Sequence, residues 1–456
     1  MPEKIVGEVK ISAVTLNIAQ KIKNVSDFKE EIEASLTKRI TDVLEIILGG
    51  GIFLDVSDIH IESREEDAKL RIRIDGILED VLLFDKKVYE NLISRIKLLS
   101  GIKLNITDRP QDGRFSVLMD EIAVAEASPR EMNEVQRTPP HSASPSSVIE
   151  VRSSILPAEY GESIVLRLLN PKTLIEIEAL GLRKDLLEVF NQEIKKPNGM
   201  IIVTGPTGSG KTTTLYAFLK KIQKPEIKVI TIEDPIEYHL EGISQTQVDP
   251  RAGYDFANGL KSIMRQDPDV ILVGEIRDLE TASLALQAAL TGHLVLTTLH
   301  TNDAAGTMAR LQALGEKPVN IAPVINIVIA QRLVRKVCKK CVKFEKIPPQ
   351  FLEKLKKELK NLPSKVKIPE IEEGLKVPKI KGCRDCNFTG YRGRIGIFET
   401  FLVDDEMEKF ILTSPSIAAL REVAIKKGMV IMKQDGLIKV LEGITTIEEV
   451  ERVTGM

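Results

Sequence analysis

The chain has 456 residues, 43% of them hydrophobic and 29% charged, with a formal net charge of −2. This is the balance of an ordinary folded protein, long enough for two to three domains at about 150 residues each, and it excludes the global positive field that gathers nucleic acid. No apolar run approaches the ~18 residues of a membrane helix. The N-terminus has neither an apolar signal core nor a cleavage site. The expectation is a cytoplasmic protein that reaches a membrane only through a partner.

Residues 1–25 are weakly patterned. From Ser26 the apolar positions Ile32, Leu36, Ile40, Val43, Leu44 and Ile47 fall at helical spacing, and Gly49-Gly50-Gly51 reads as the stop. Residues 1–56 are therefore expected as an N-terminal helical segment. Ser57 to Glu62 and Lys69 to Ile74 alternate like strands, with Asp75-Gly76 as a hairpin turn, and Val88 to Leu99 returns to helical spacing. Residues 57–170 thus read as an α+β sub-domain. Within it, residues 126–147 are rich in proline and serine, without periodicity, and are expected to be a disordered insert.

Residues 171–335 alternate apolar strands with helices, the pattern of a parallel sheet covered on both faces. Residues 336–394 carry four cysteines around a charged helical insert. Residues 395–456 read as largely helical, with Gly428 and Gly443 as stops and Thr446-x-x-Glu449 as a capping box.

The most informative stretch is Gly205-Pro206-Thr207-Gly208-Ser209-Gly210-Lys211-Thr212, between the apolar run Met200–Val203 and a helix-compatible run. Strand, glycine-rich loop and helix in this order make a phosphate cradle. The glycines let backbone N–H groups turn inward, Lys211 reaches the β- and γ-phosphates, and the Thr212 hydroxyl holds Mg²⁺. ATP and Mg²⁺ are the expected ligands. Val270 to Val273 is an apolar strand followed by Gly274-Glu275. An acid there stands beside Mg²⁺ and the attacking water in nucleotide hydrolases, and glycine occupies a position where an aspartate is common. The strand Ile230–Ile232 ends in Glu233-Asp234, a second carboxylate cluster or a solvated strand end. His300 closes the strand Leu294–Leu299, either packed or facing a γ-phosphate. Glu275 is the first choice for the catalytic base and Glu233 the second.

Cys338-x-x-Cys341 and Cys383-x-x-Cys386 flank residues 342–382. Two such knuckles supply four thiolates to a tetrahedral Zn²⁺ with no open position, hence a structural site. Arg335, Lys336, Lys339, Lys340 and Lys343 around them either offset the charge of a zinc–thiolate centre or contact nucleic acid. Arg152 and Arg167 lie on alternating strands, as surface residues or as arginine fingers.

Taken together these segments resemble the secretion-superfamily ATPases that power type II secretion and type IV pilus assembly. The resemblance runs from about Asp58 to the C-terminus. It rests on Ser57-Asp58-Ile59-His60-Ile61-Glu62, Arg71-Ile72-Arg73-Ile74-Asp75-Gly76, Arg109-Pro110-Gln111-Asp112-Gly113-Arg114 and Tyr160-Gly161-Glu162-Ser163. It continues through the phosphate loop, Glu233-Asp234-Pro235, Arg265 to Asp269, Gly274-Glu275-Ile276-Arg277-Asp278, Thr291-Gly292-His293, Leu299-His300-Thr301-Asn302, the four cysteines and Gln434-Asp435-Gly436.

It implies a RecA-like P-loop domain, joined by a flexible linker to the α+β sub-domain, in a homo-hexamer. The motor would act on an inner-membrane platform protein and, through it, on pilin or pseudopilin machinery. Arg152 and Arg167 would approach the phosphates, and the strand ending at Glu275 would lie next to the phosphate-loop strand. Lys261 departs from the family at the partner position of Arg265. The short N-terminus implies a missing or minimal docking module, and the cysteines argue against the pilus-retraction branch. The alternative function is a nucleic-acid translocating ATPase of a conjugation or packaging system, against which the charge balance counts.

Overall fold

The structure is a computed structural model that describes residues 7–119, 147–170 and 175–455. Residues 126–146 of the expected insert lie outside the described residues. The chain divides into two compact units, Glu3–Pro171 with Cys383–Phe388, and Lys172–Gly382 with Thr389–Met456.

In the first unit, alternating apolar residues build a seven-stranded sheet from β1 (Gly7–Lys10), β2 (Asp58–Ser63), β3 (Asp67–Ile74), β4 (Ile77–Asp85), β5 (Gln111–Met119), β6 (Ser147–Ala158) and β7 (Gly161–Leu169). Their order is β1-β5-β6-β7-β2-β3-β4. Only the β1–β5 pair is parallel. In β3, Ala68, Leu70 and Ile72 are buried while Lys69, Arg71 and Arg73 take the opposite face, so the sheet has one apolar and one polar side. Asp75 and Gly76 both have positive φ (50° and 83°), as a two-residue turn between β3 and β4 requires.

Two features of the N-terminal segment differ from expectation. Gly7–Lys10 pairs with β5 as a strand. The glycine triplet does not stop its helix, which runs Ile40–Phe53 straight through it. The reason is close packing. A Cβ on Gly50 would stand 2.5 Å from the Phe28 ring, so glycine is what lets the helices Val25–Ser35 and Ile40–Phe53 touch. Burial against Phe28, Ile22 and Ile59 offsets the roughly 1 kcal/mol that each glycine costs a helix interior.

The second unit holds β8 (Gly199–Thr204), β9 (Val229–Glu233), β10 (Ser244–Gln247), β11 (Val270–Val273), β12 (Leu294–Leu299), β13 (Ile325–Val337) and, after β14 (Lys343–Lys346) and β15 (Lys376–Lys379), β16 (Tyr391–Leu402). The sheet order is β10-β9-β11-β12-β8-β13-β16, parallel except for β16. The strand before Glu275 is therefore not beside the phosphate-loop strand, as the resemblance had implied. β12 lies between them. Its six residues are all buried and pair along their whole length with the six of β8, leaving the shorter β11 to its other edge.

β14 and β15 form a separate antiparallel pair. The last four helices are Asp405–Ile411, Ile417–Lys426, Met432–Leu441 and Ile447–Thr454. Thr446 caps the last by accepting from the Glu449 N–H at 3.3 Å. The Glu449 carboxylate does not return the bond. It turns instead to Arg335 and Arg452, each at 2.7 Å. Burial opposes its ionisation, yet these guanidinium hydrogen bonds hold its pKa down at about 2.

Candidate functional site

The phosphate loop sits where β8, buried along its whole length, gives way to the helix Lys211–Ile222. Gly205, Gly208 and Gly210 have φ of 149°, 78° and 88°, conformations that L side chains rarely adopt. Pro206, Thr207 and Ser209 complete the turn, and Thr212 lies in the first helical turn, where backbone N–H groups have no intrahelical acceptor. The Lys211 ammonium donates to the carbonyls of Gly205 at 2.9 Å and Pro206 at 3.2 Å, in the manner of a cation waiting inside the cradle. Burial lowers its pKa, and Glu275 works in the opposite direction. The Ser209 hydroxyl is buried with no hydrogen-bond partner among the described residues. These donors fit an anion of phosphate type.

The carboxyl ends of β9, β11 and β12 converge beside the loop. His300 follows β12, and its Nε2 lies 3.5 Å from Glu275 Oε2. Burial, then the neighbouring Lys211, lowers the His300 pKa, which favours the neutral ring, while Glu275 works in the opposite direction. Arg277 bridges the other Glu275 oxygen to Asp234, 3.4 Å from the latter. Glu275 thus contacts His300 and Arg277, and its charge acts on the nearby Lys211.

Glu233 is placed differently. It is buried and accepts from the hydroxyls of Tyr216 and Thr231 (2.5 Å for Thr231) and from Gln245 Nε2 at 3.2 Å. Burial pushes its pKa up, and those hydrogen bonds oppose the shift. Its carboxylate is committed to the side chains beneath the loop.

Arg152 and Arg167 stand directly opposite each other on β6 and β7 of the first unit. The register extends this pair into a row across five strands: Arg114, Arg152, Arg167, Asp58, Arg73. Asp58 is 3.0 Å from Arg167 Nε and 3.5 Å from Arg73 Nε, while Glu150 lies 3.7 Å from Arg114 and 3.6 Å from Arg152. Four guanidiniums against two carboxylates leave this part of the polar face positive. Arg114, Arg73 and both acids escaped sequence reasoning as members of one group, as did the contacts that Arg277 and Tyr216 make with the two glutamates. Arg265 is bonded to Ser262 at 3.3 Å, and Lys261 pairs with Glu280.

The four cysteines come together. The Sγ atoms of Cys338, Cys341, Cys383 and Cys386 all lie within 4.8 Å of one another, and none of the four is in a disulfide. Cys383 and Cys386 have sulfurs 3.7 Å apart. That is far longer than a disulfide, and it matches the edge, about 3.8 Å, of a tetrahedron with metal–sulfur bonds of about 2.3 Å. The donor set fits one closed tetrahedral ion. Purified protein is expected to carry about one equivalent of metal, and Cys383→Ser is expected to lose it and melt at lower temperature. A four-serine variant with native stability and no metal would refute a structural ion.

A protein-family model described as "Type II/IV secretion system protein" matches residues 32–126 and 141–452. The type II secretion system ATPase E of Vibrio cholerae is 42% identical over 418 residues, 91% of this chain and 75% of that protein. The type II secretion system protein E of Pectobacterium carotovorum is 40% identical over 436 residues, 95% of this chain and 79% of that protein. The type IV pilus assembly ATPase PilB of Thermus thermophilus is 40% identical over 453 residues, 98% of this chain, which spans only 46% of that longer relative.

Among solved structures, the Legionella pneumophila ATPase DotB (22% identity, TM-score 0.60, 90% of this chain and 94% of that one) and the pilus retraction motor PilT with bound ADP (24%, 0.55, 89% and 95%) share the fold. No described helix is long and apolar enough to cross a membrane. The chain belongs to the type II/IV secretion system protein family, whose named members include ATPases of type II secretion and of type IV pilus assembly.

Proposed function

We propose that this chain is a cytoplasmic ATP-hydrolysing motor that drives assembly of a type IV pilus or a type II secretion pseudopilus, acting as a homo-hexamer on an inner-membrane platform protein. The observation that carries the reading is the constellation of phosphate loop, Lys211, Glu275 and His300 in a chain of this family. In this reading the loop residues Gly205 to Thr212 hold the ATP phosphates. Thr212 and Glu275 would hold Mg²⁺, which when bound would supply charge neutralisation to the phosphates. Glu275 orients and deprotonates the attacking water, and neutral His300 hydrogen-bonds the γ-phosphate. Glu233 supports the strand end from below. Arg152 and Arg167 stabilise charge on a neighbouring subunit's nucleotide. Zn²⁺ is the ion proposed for the four thiolates, in a structural role.

Purified protein is expected to hydrolyse ATP with Mg²⁺, to run at the mass of six copies when nucleotide-bound, and to gain nothing from added DNA or RNA. Lys211→Ala is expected to remove turnover. Hydrolysis that persists in Lys211→Ala would overturn the site, and strong stimulation by nucleic acid would favour a translocase instead.

A further inference from the structure

Gln331 lies on β13, far in sequence from the phosphate loop, with 1% of its surface exposed. Its side-chain amide bridges two points of the loop–helix unit. Nε2 donates to the carbonyl of Ser209 at 2.7 Å, and Oε1 accepts from the hydroxyl of Thr214 at 2.8 Å. Thr214 is itself 1% exposed and stands in the first turns of the helix that the loop begins. A hydroxyl that donates to Oε1 leaves Nε2 to face Ser209, so the two bonds fix each other's direction.

The consequence lies in the peptide joining Ser209 to Gly210. A trans peptide is planar, and its C=O and N–H point to opposite sides. With the Ser209 oxygen held by Gln331, the Gly210 N–H on the same peptide is turned the other way, into the cradle. Gly210 sits at φ 88°, where glycine has no strong preference of its own between the two orientations of the preceding peptide. The backbone of β13 reinforces the arrangement. A Cβ on Gly205 would meet the Gln331 carbonyl oxygen at 2.5 Å, so strand and loop are in direct contact.

We infer that Gln331 is a positioning residue for nucleotide binding: it holds the Ser209–Gly210 peptide with its donor toward the phosphates and so preorganises the loop before the ligand arrives. It touches no reacting atom. Without it the loop samples both peptide orientations, and binding must select one. The loss therefore falls on affinity and KM more than on kcat, because a bound phosphate re-imposes the donor-in peptide. The inference rests on the phosphate-loop reading above.

The test is titration of the full-length protein with a fluorescent ADP analogue, with ATPase kinetics and melting temperatures in parallel. Gln331→Met keeps the length and removes both hydrogen bonds. It is expected to weaken nucleotide binding and raise KM about tenfold, with kcat at saturating ATP within about threefold of native. Thr214→Val is expected to weaken binding a few-fold, and Thr214→Ser, which keeps the hydroxyl, to bind as the native protein does. The double variant Gln331→Met/Thr214→Val should be little worse than Gln331→Met, since both changes break one bridge. Native affinity in a folded Gln331→Met protein overturns the inference, as does a fall in kcat with unchanged KM. If Gln331→Met does not fold, equal affinities for Thr214→Val and Thr214→Ser overturn it. No binding by the native protein overturns the phosphate-loop reading instead.

Discussion

Glu275→Gln is expected to bind ATP–Mg²⁺ nearly as the native protein does and to turn it over at least ~10²-fold more slowly. The substitution keeps size and one acceptor but removes the base and the charge. Glu275 is the carboxylate that shares the loop's surroundings: its charge opposes the burial that lowers the Lys211 pKa, and it lies 3.5 Å from His300. Glu233 is held by Tyr216, Thr231 and Gln245, which leaves little of its carboxylate for a water molecule. Glu233→Gln should therefore show the smaller catalytic loss, with lowered thermal stability because the buried Tyr216 hydroxyl loses a charged acceptor. The checks are single-turnover hydrolysis and nucleotide affinity for both variants. Trapped ATP in Glu233→Gln with continued turnover in Glu275→Gln would reverse the two roles.

A comparable loss is expected from the first unit. Arg167→Ala should lower kcat by about 10³-fold, the magnitude typical of a missing arginine finger. The row geometry adds a consequence for its neighbours. Asp58 holds the Arg167 guanidinium from the side at 3.0 Å, and Arg152 shares Glu150 with Arg114. Mixing inactive Arg167→Ala protein with inactive Lys211→Ala protein should restore part of the activity, because a mixed ring contains interfaces with one intact arginine and one intact loop. Mixed rings that form yet exceed neither parent would exclude action on a neighbour's nucleotide.

The parts of this molecule that were legible in sequence are those whose chemistry is local. The phosphate loop declares itself by spacing within eight positions, and each cysteine pair by spacing within four. The alternation of β3 and the Asp75-Gly76 turn are equally local. What was hidden depends on pairing. The row from Arg114 to Arg73 exists only through register, and β5 and β6 are separated by more than twenty residues of uninformative chain. The insertion of β12 between β11 and β8 follows from how crossovers pack, which no single strand encodes. Gln331 is one of several polar residues on β13, with nothing local to single it out, and its partner carbonyl is 122 positions away. The glycine triplet misled because a packing contact with Phe28 outweighed intrinsic propensity.

Cys338 directly follows β13, and Cys386 lies a few residues before β16, its antiparallel neighbour; the Cys338 N–H also bonds the Gly390 carbonyl at 2.8 Å. The stretch between the knuckles therefore leaves and re-enters the sheet at one point. It packs on the C-terminal region, Ile347, Leu352, Leu355 and Leu359 sharing a small core with Val430, Leu437 and Ile438. A loop closed at its base is tolerant of length, since doubling a flexible loop costs only about 0.6 kcal/mol in closure entropy. The exposed turn at Glu373-Gly374 is where such growth disturbs least, because a Cβ on Gly374 would meet nothing within 4 Å. Chain can be inserted at that turn while the strand carrying Gln331 keeps both its neighbours, which makes the turn a place to graft a tag without disturbing the phosphate loop.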